Sequence, residues 1–183
     1  MNDYQKLFPR LFQEYIPPER TLRMKFELGT EFPPDLVGTV KMVAYLDDQY
    51  LAVRAPSGWW EPGGKPEPGE NYLDAIHREM LEETGCRVLD FNLFGAFHCL
   101  SLKDAPPEPG LLWPEFYFLW GYGAVEVVTE PRPNPSETIL EVGFAPLAET
   151  CERFQSTAGA GPLLIEIYQL ADLMRKEKQK KLA

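Results

Sequence analysis

Apolar and polar positions alternate with a period of two in several short runs of this chain, and recur with helical spacing in three others. Residues 21 to 28, TLRMKFEL, alternate as a half-exposed strand does. Val37 to Tyr45 and Gln49 to Arg54 are strand-like runs separated by Asp47 and Asp48, which predicts a hairpin. Arg87 to Leu102 predicts strands with a bend, Glu115 to Val128 one long or two short strands at the sheet centre, and ILEVGFAPL, residues 139 to 147, a further strand. Helical spacing joins Tyr4, Leu7, Phe8, Leu11, Phe12 and Tyr15, interrupted by Pro9 and stopped by Pro17 and Pro18. It returns from Tyr72 to Thr84, where Leu73, Ile76 and Met80 share an arc, and over 162 to 181, where Leu163, Ile167, Leu170 and Met174 predict a C-terminal helix. Proline-rich loops at 103 to 114 and 129 to 136 punctuate the rest, and the pattern as a whole gives a mixed α/β or α+β domain.

One stretch carries chemistry: Gly64 to Cys86, GKPEPGENYLDAIHREMLEETGC. Before it stand Trp59, Trp60, Pro62 and Gly63, and the paired glycines Gly63 and Gly64 let the backbone approach a ligand closely. Asn71 is the expected N-cap and Gly85 the C-terminal stop of a helix in between. At roughly 100° per residue, Glu79, Glu82 and Glu83 fall within about a third of a turn. Three such carboxylates repel unless they are freely solvated or share a cation. Hard divalent cations such as Mg²⁺ or Mn²⁺ take oxygen ligands of this kind. The stretch therefore reads as a metal platform, with a solvated acidic face as the alternative.

The spacing of Gly64, Glu70, Arg78, Glu79, Met80, Glu82, Glu83, Gly85 and Cys86 resembles the Nudix box, and all of its fixed polar and glycine positions are matched. Two positions depart from it. Cys86 stands where the family usually ends the box with an aliphatic residue, and Glu61 stands where an apolar residue usually precedes Pro-Gly-Gly. Glu61 is either a carboxylate placed beside the phosphate turn or a side chain turned to solvent. The resemblance implies an α/β/α sandwich around a mixed β-sheet, with the box helix on one face and the C-terminal helix on the other. It also implies a Mg²⁺-dependent hydrolase, with Mn²⁺ as the alternative ion, that cleaves the diphosphate of a nucleoside diphosphate linked to another group X. By the same resemblance Glu79, Glu82 and Glu83 ligate metal together with the Gly64 carbonyl, and Arg78 pairs with Glu70 to hold the loop. Glu137, with Glu141 as the alternative, is the expected additional carboxylate. A non-catalytic module of the same fold that binds a nucleotide or a protein is the rival reading.

Length and composition bound the rest. With 183 residues, 44% of them apolar, the chain is long enough for one domain over 1–183, comprising an N-terminal extension (1–36), the box region and the C-terminal helix. The extension either caps the core or supports a homodimer. The formal charge of −10 argues against broad nucleic-acid or anionic-membrane binding, but not against a small phosphorylated substrate whose charge a bound metal offsets. Cys86, Cys99 and Cys151 lack metal-site spacing, and a reducing cytoplasm is the expected location. Arg54, Gly63, Gly64 and Trp113 are the candidate substrate contacts: Arg54 reaches a phosphate or ends a strand in solvent, and Trp113 stacks on a base or packs on the core. His98 is expected to be a packed or hydrogen-bonded histidine, and His77 to lie on the outer face of the box helix.

Overall fold

A computed structural model describes residues 3–17, 22–106, 112–132 and 138–182. The strands are β1 (Leu22–Leu28), β2 (Val37–Leu46), β3 (Gln49–Ala55), β4 (Gly58–Trp60), β5 (Cys86–Val88), β6 (Asn92–Ser101), β7 (Glu115–Val127) and β8 (Glu141–Pro146). The helices are α1 (Tyr4–Leu7), α2 (Tyr72–Thr84), α3 (Leu147–Phe154) and α4 (Gly161–Leu182), with a 3-10 turn at Pro34–Leu36. The sheet runs β1-β6-β7-β2-β3-β4, with β5 added to β7 and β8 to β3. β2 and β7 are parallel while the other pairs are antiparallel, so the sheet is mixed as expected.

The hairpin of β2 and β3 is short. The two strands pair at Tyr45↔Tyr50 and Leu46↔Gln49, around Asp47 in a left-handed conformation (φ 53°), and then part. β3 continues against β8 from Gln49↔Pro146 to Arg54↔Glu141. The edge that β2 thereby exposes is taken up by the glycine turn. Val40 N–H donates to the Gly64 carbonyl (2.9 Å) and Met42 N–H to the Pro62 carbonyl (3.1 Å). The turn is thus fastened into the sheet as a substitute strand, which satisfies the backbone groups that the splayed hairpin leaves over.

Strand alternation then assigns the two faces. Val40, Met42, Ala44, Leu51 and Val53 pack with Ala75, Ile76 and Met80 of α2. On the other face Val43, Tyr50, Ala52, Trp120 and Tyr122 pack with Ile167, Tyr168, Leu170 and Ala171 of α4. The buried Tyr168 hydroxyl donates to the Leu51 carbonyl at 2.9 Å, which satisfies its polar atom across the core. The helix–sheet–helix layering implied by the box resemblance is the one observed.

Four details differ from the sequence expectations. Leu73 does not share the buried arc of Ile76 and Met80: it is 42% exposed, because that arc is centred further round, on Ala75, Ile76, Glu79 and Met80. The strand-like run after residue 139 starts only at Glu141 and turns at Pro146 into α3, whose buried side chains include Cys151 and Phe154. β4, three residues long, forms between two turns in a stretch that carries no alternation. The N-terminal helical spacing yields only the four residues of α1 before Pro9. Within residues 1 to 36, β1 pairs with β6 of the same chain from Leu22↔Ser101 to Leu28↔Gly95.

Candidate active site

The helix that carries the carboxylates is well bounded. The Asn71 side-chain oxygen accepts from the N–H groups of Leu73 (2.8 Å) and Asp74 (3.0 Å), two of the donors that a helix start leaves without partners. At the other end Gly85 adopts the left-handed conformation (φ 69°) and its N–H closes on the Leu81 carbonyl. Between these ends α2 packs on the sheet through Ala75, Ile76 and Met80, and that rotation brings Glu79 into the buried arc, where only 6% of it is exposed.

A buried carboxylate needs partners, and the glycine turn and Arg78 supply the surroundings. Gly63 lies at φ 124°, and a Cβ there would overlap the Val40 carbonyl. At Gly64 a Cβ would overlap the Glu79 carboxylate itself, so that side chain lies directly against the Gly64 backbone. Gly63 N–H donates to Glu83 Oε2 at 2.8 Å. The turn thus meets two of the three box carboxylates. The Gly64 carbonyl accepts from Val40 N–H, which engages one of its two lone pairs.

Arg78 is the centre of the remaining contacts. Its Nε and Nη2 donate to the two oxygens of Glu70 (3.0 and 2.9 Å), a bidentate pair, and Nη2 also donates to the Lys65 carbonyl (3.0 Å). Its Nη1 lies 3.0 Å from Glu79 Oε1 and 3.5 Å from Glu82 Oε2. The Arg78 hydrogen bonds hold the Glu70 carboxyl below the usual carboxylate range, and Glu70 in turn holds the guanidinium charged still more firmly. The expected Arg78 and Glu70 clasp is present, extended to Glu79 and Glu82.

Among the described residues no three His, Cys, Asp or Glu side chains are set around one point as a metal cage. Glu79 and Glu82 both face Arg78 Nη1, and Glu83 faces Gly63 N–H. The donor set nevertheless suits a hard divalent cation, since every candidate ligand is a carboxylate or carbonyl oxygen. Two of the carboxylates already address a single cationic nitrogen.

The other candidates are distributed more widely. Arg54 donates to Glu141 at 2.9 Å across the β3/β8 pair, both side chains being more than 40% exposed. The alternative carboxylate is therefore engaged with the candidate phosphate contact. Trp113 is 40% exposed and donates from its ring nitrogen to the Lys103 carbonyl (3.3 Å), so it is not a core residue. Glu137 lies outside the described residues. His98 is hydrogen-bonded as expected, with Nε2 at 2.6 Å from Glu115 and its ring stacked on Tyr117. His77 is exposed. Cys86, Cys99 and Cys151 are buried; burial raises Cys86 and pushes Cys151 up to about 11, which keeps both protonated near neutral pH. Cys86 packs in the core beneath α2, as a small apolar residue would.

Glu61 is not turned to solvent. It is 9% exposed, and its Oε1 lies 3.7 Å from the ammonium of Lys41, a residue that the sequence reading did not single out. The available signal was a lone charge inside the apolar run VGTVKMVAYL.

Similar proteins share this fold. A solved structure of a pyrophosphohydrolase, BsRppH, from Bacillus subtilis superposes with a TM-score of 0.55 at 19% identity, over 73% of this chain and 77% of that one. A NUDIX hydrolase from Nitrosomonas europaea superposes with a TM-score of 0.54 at 25% identity, over 73% and 88% of the two chains. An uncharacterized Nudix hydrolase, YvcI, of Bacillus subtilis (strain 168) is 44% identical over 64 residues, which are 34% of this chain and 40% of that relative's length. The NUDIX domain profile matches residues 36–166, more than half of the chain and all of the box and its supporting strands. The chain therefore belongs to the NUDIX domain family.

Proposed function

We propose that this protein is a Mg²⁺-dependent hydrolase that cleaves the diphosphate of a nucleoside diphosphate linked to a further group X, by attack of water on phosphorus. Nudix hydrolases generally use divalent metal ions, and Mn²⁺ is the alternative here. The observation that carries the reading is the packing of Glu79 against Gly64, of Glu83 on Gly63 N–H, and of Glu79 and Glu82 around one nitrogen of Arg78. Two of the three carboxylates are held at the glycine turn, and Arg78 ties the third, Glu82, to Glu79.

In this reading Glu79, Glu82 and Glu83 hold the cation, with the second lone pair of the Gly64 carbonyl as a further ligand. The bound ion offsets phosphate charge and makes water a better nucleophile. Arg78 keeps the helix and the Lys65 to Glu70 loop in register, so the ligands stay placed while substrate enters. Gly63 and Gly64 form the phosphate turn. Arg54 exchanges an exposed ion pair of little energetic weight for a substrate phosphate, and Trp113 offers its exposed ring to the base. Glu137 is the additional carboxylate on the loop before β8. The substrate is a small nucleotide-type molecule and not a nucleic acid, in keeping with the net charge of −10. No described helix is long and apolar enough to cross a membrane.

The test is a Mg²⁺-dependent hydrolysis screen over nucleoside triphosphates, oxidised nucleotides, nucleotide sugars, ADP-ribose and dinucleoside polyphosphates, with Glu82→Gln as the blank. A substrate whose turnover needs the metal and vanishes in the blank supports the reading. Ligands that shift the melting temperature without any turnover would favour a binding module instead.

A further inference from the structure

The glycine turn is held to β2 by three successive carbonyls. Pro62 accepts from Met42 N–H and Gly64 from Val40 N–H, as a strand would. The middle carbonyl, Gly63, accepts from the Lys41 ammonium at 2.7 Å. The Lys41 side chain is only 24% exposed, and its ammonium also faces Glu61, whose Oε1 is 3.7 Å away. Glu61 is itself 9% exposed, and its Oε2 has no hydrogen-bond partner among the described residues. A carboxylate with one oxygen buried and unsatisfied is costly where the family pattern places an apolar side chain. Taking two charges out of water for a pair this loose does not by itself stabilise a fold.

We infer that Lys41 and Glu61 are positioning residues for the carboxylate platform, acting through the Gly63–Gly64 peptide. Lys41 fixes the plane of that peptide by holding its oxygen. Glu61 keeps the ammonium at the turn by offsetting its charge, so that it is not drawn toward solvent or an incoming phosphate. The peptide thus fixed ends on the bare Cα of Gly64, which lies against Glu79, and begins at the Gly63 Cα, where it joins the peptide whose N–H donates to Glu83. Glu79 therefore lies against the peptide that Lys41 orients, and Glu83 is held one peptide earlier, through the shared Gly63 Cα. Neither residue touches the reacting atoms. This inference rests on the metal-platform reading proposed above.

The test reads metal binding directly, by titrating the full-length protein with Mn²⁺ and following the free-ion signal in electron paramagnetic resonance. Partners that orient metal ligands typically contribute roughly 10-fold to 100-fold in affinity. Lys41→Met should weaken Mn²⁺ binding by about 10-fold or more on that scale. Lys41→Arg, which still offers a donor to Gly63, should stay within about 3-fold of wild type, below that range. Lys41→Met also leaves Glu61 buried and uncompensated and should lower the melting temperature. The double variant Lys41→Met, Glu61→Leu removes both charges and should regain most of the thermal stability while keeping the weakened metal binding.

That split separates positioning from packing. A double variant that regains wild-type Mn²⁺ affinity along with its stability would overturn the inference, as would a Lys41→Met protein that binds Mn²⁺ as tightly as wild type. If Lys41→Met does not fold, the double variant and Lys41→Arg give the same decision. Wild-type protein that binds no Mn²⁺ would instead remove the metal platform itself, and the role of the pair with it.

Discussion

Replacing Arg78 by methionine tests how much of the site is held by one guanidinium. Met keeps the length and apolar stem of the side chain but deletes the fork that reaches both oxygens of Glu70, the Lys65 carbonyl, Glu79 and Glu82. Glu70 and Glu79 are mostly shielded, with side chains 15% and 8% exposed, so the change leaves two carboxylates in a poor solvent without their cation. Breaking a buried pair costs about 3–5 kcal/mol, and the lower figure, about 3 kcal/mol, applies because the Arg78 side chain retains partial solvent contact. For a domain of this size that corresponds to a fall in melting temperature of roughly 6–12 °C. Arg78→Lys should recover less than half of the loss, since one ammonium cannot serve the bidentate Glu70 contact and Glu79 together.

Thermal melts at two pH values sharpen the test. The folded state holds Glu70 below its ordinary range, so the stabilisation from Arg78 is fully present above the unfolded value, about 4.3, and is lost as pH falls through the lower folded value. The gap between wild type and Arg78→Met should therefore be constant from pH 6 to 8, to order of magnitude, and narrow below about pH 4. A variant that melts within about 2 °C of wild type at pH 7 would refute the reasoning, because even 1 kcal/mol should move the midpoint by about that much. A gap that widens in acid would refute the assignment to Glu70.

Further outcomes follow from the same geometry. Gly64→Ala puts a Cβ into the Glu79 carboxylate, and overpacking of this kind costs about 1–3 kcal/mol. Calorimetric titration should show Mn²⁺ affinity reduced by about 10-fold or more, 1.4 kcal/mol being a factor of ten. Asn71→Ala removes the cap of α2 and should lower stability by about 1 kcal/mol, read in denaturant melts, while activity at 25 °C stays near wild type. Burial keeps the thiols of Cys86 and Cys151 protonated, so alkylation of the native protein at pH 8 should be slow and should accelerate on unfolding.

Much of this arrangement is legible in the sequence because it is local. The caps of α2 and the i, i+3, i+4 carboxylates are fixed by neighbours within a few residues, so Asn71 and Gly85 emerge where spacing places them, and the Arg78 and Glu70 clasp where the box resemblance implies it. Features set by distant partners were not readable. Leu73 looks like a core residue by spacing alone, but the rotation of α2 is decided by what the sheet offers, and Glu79 took the buried place. α3 abuts a strand and carries too few apolar residues to show its period over eight residues. Lys41 and Glu61 are twenty residues apart and meet only because β2 and β3 part and the turn fills the gap. A charge inside an apolar strand and an acid at an apolar motif position were the traces that this pairing left in the sequence.

The central claim is that water, activated at the box carboxylates, attacks phosphorus. The most direct measurement is hydrolysis of a confirmed substrate in ¹⁸O-labelled water with Mg²⁺ present, followed by mass spectrometry of both products. The account predicts one labelled oxygen on a phosphate of one product, none on X, and no turnover in Glu82→Gln or when the divalent ion is chelated. Label on X, which would mean cleavage of its own bond to oxygen, or undiminished turnover in the chelated enzyme, would contradict it.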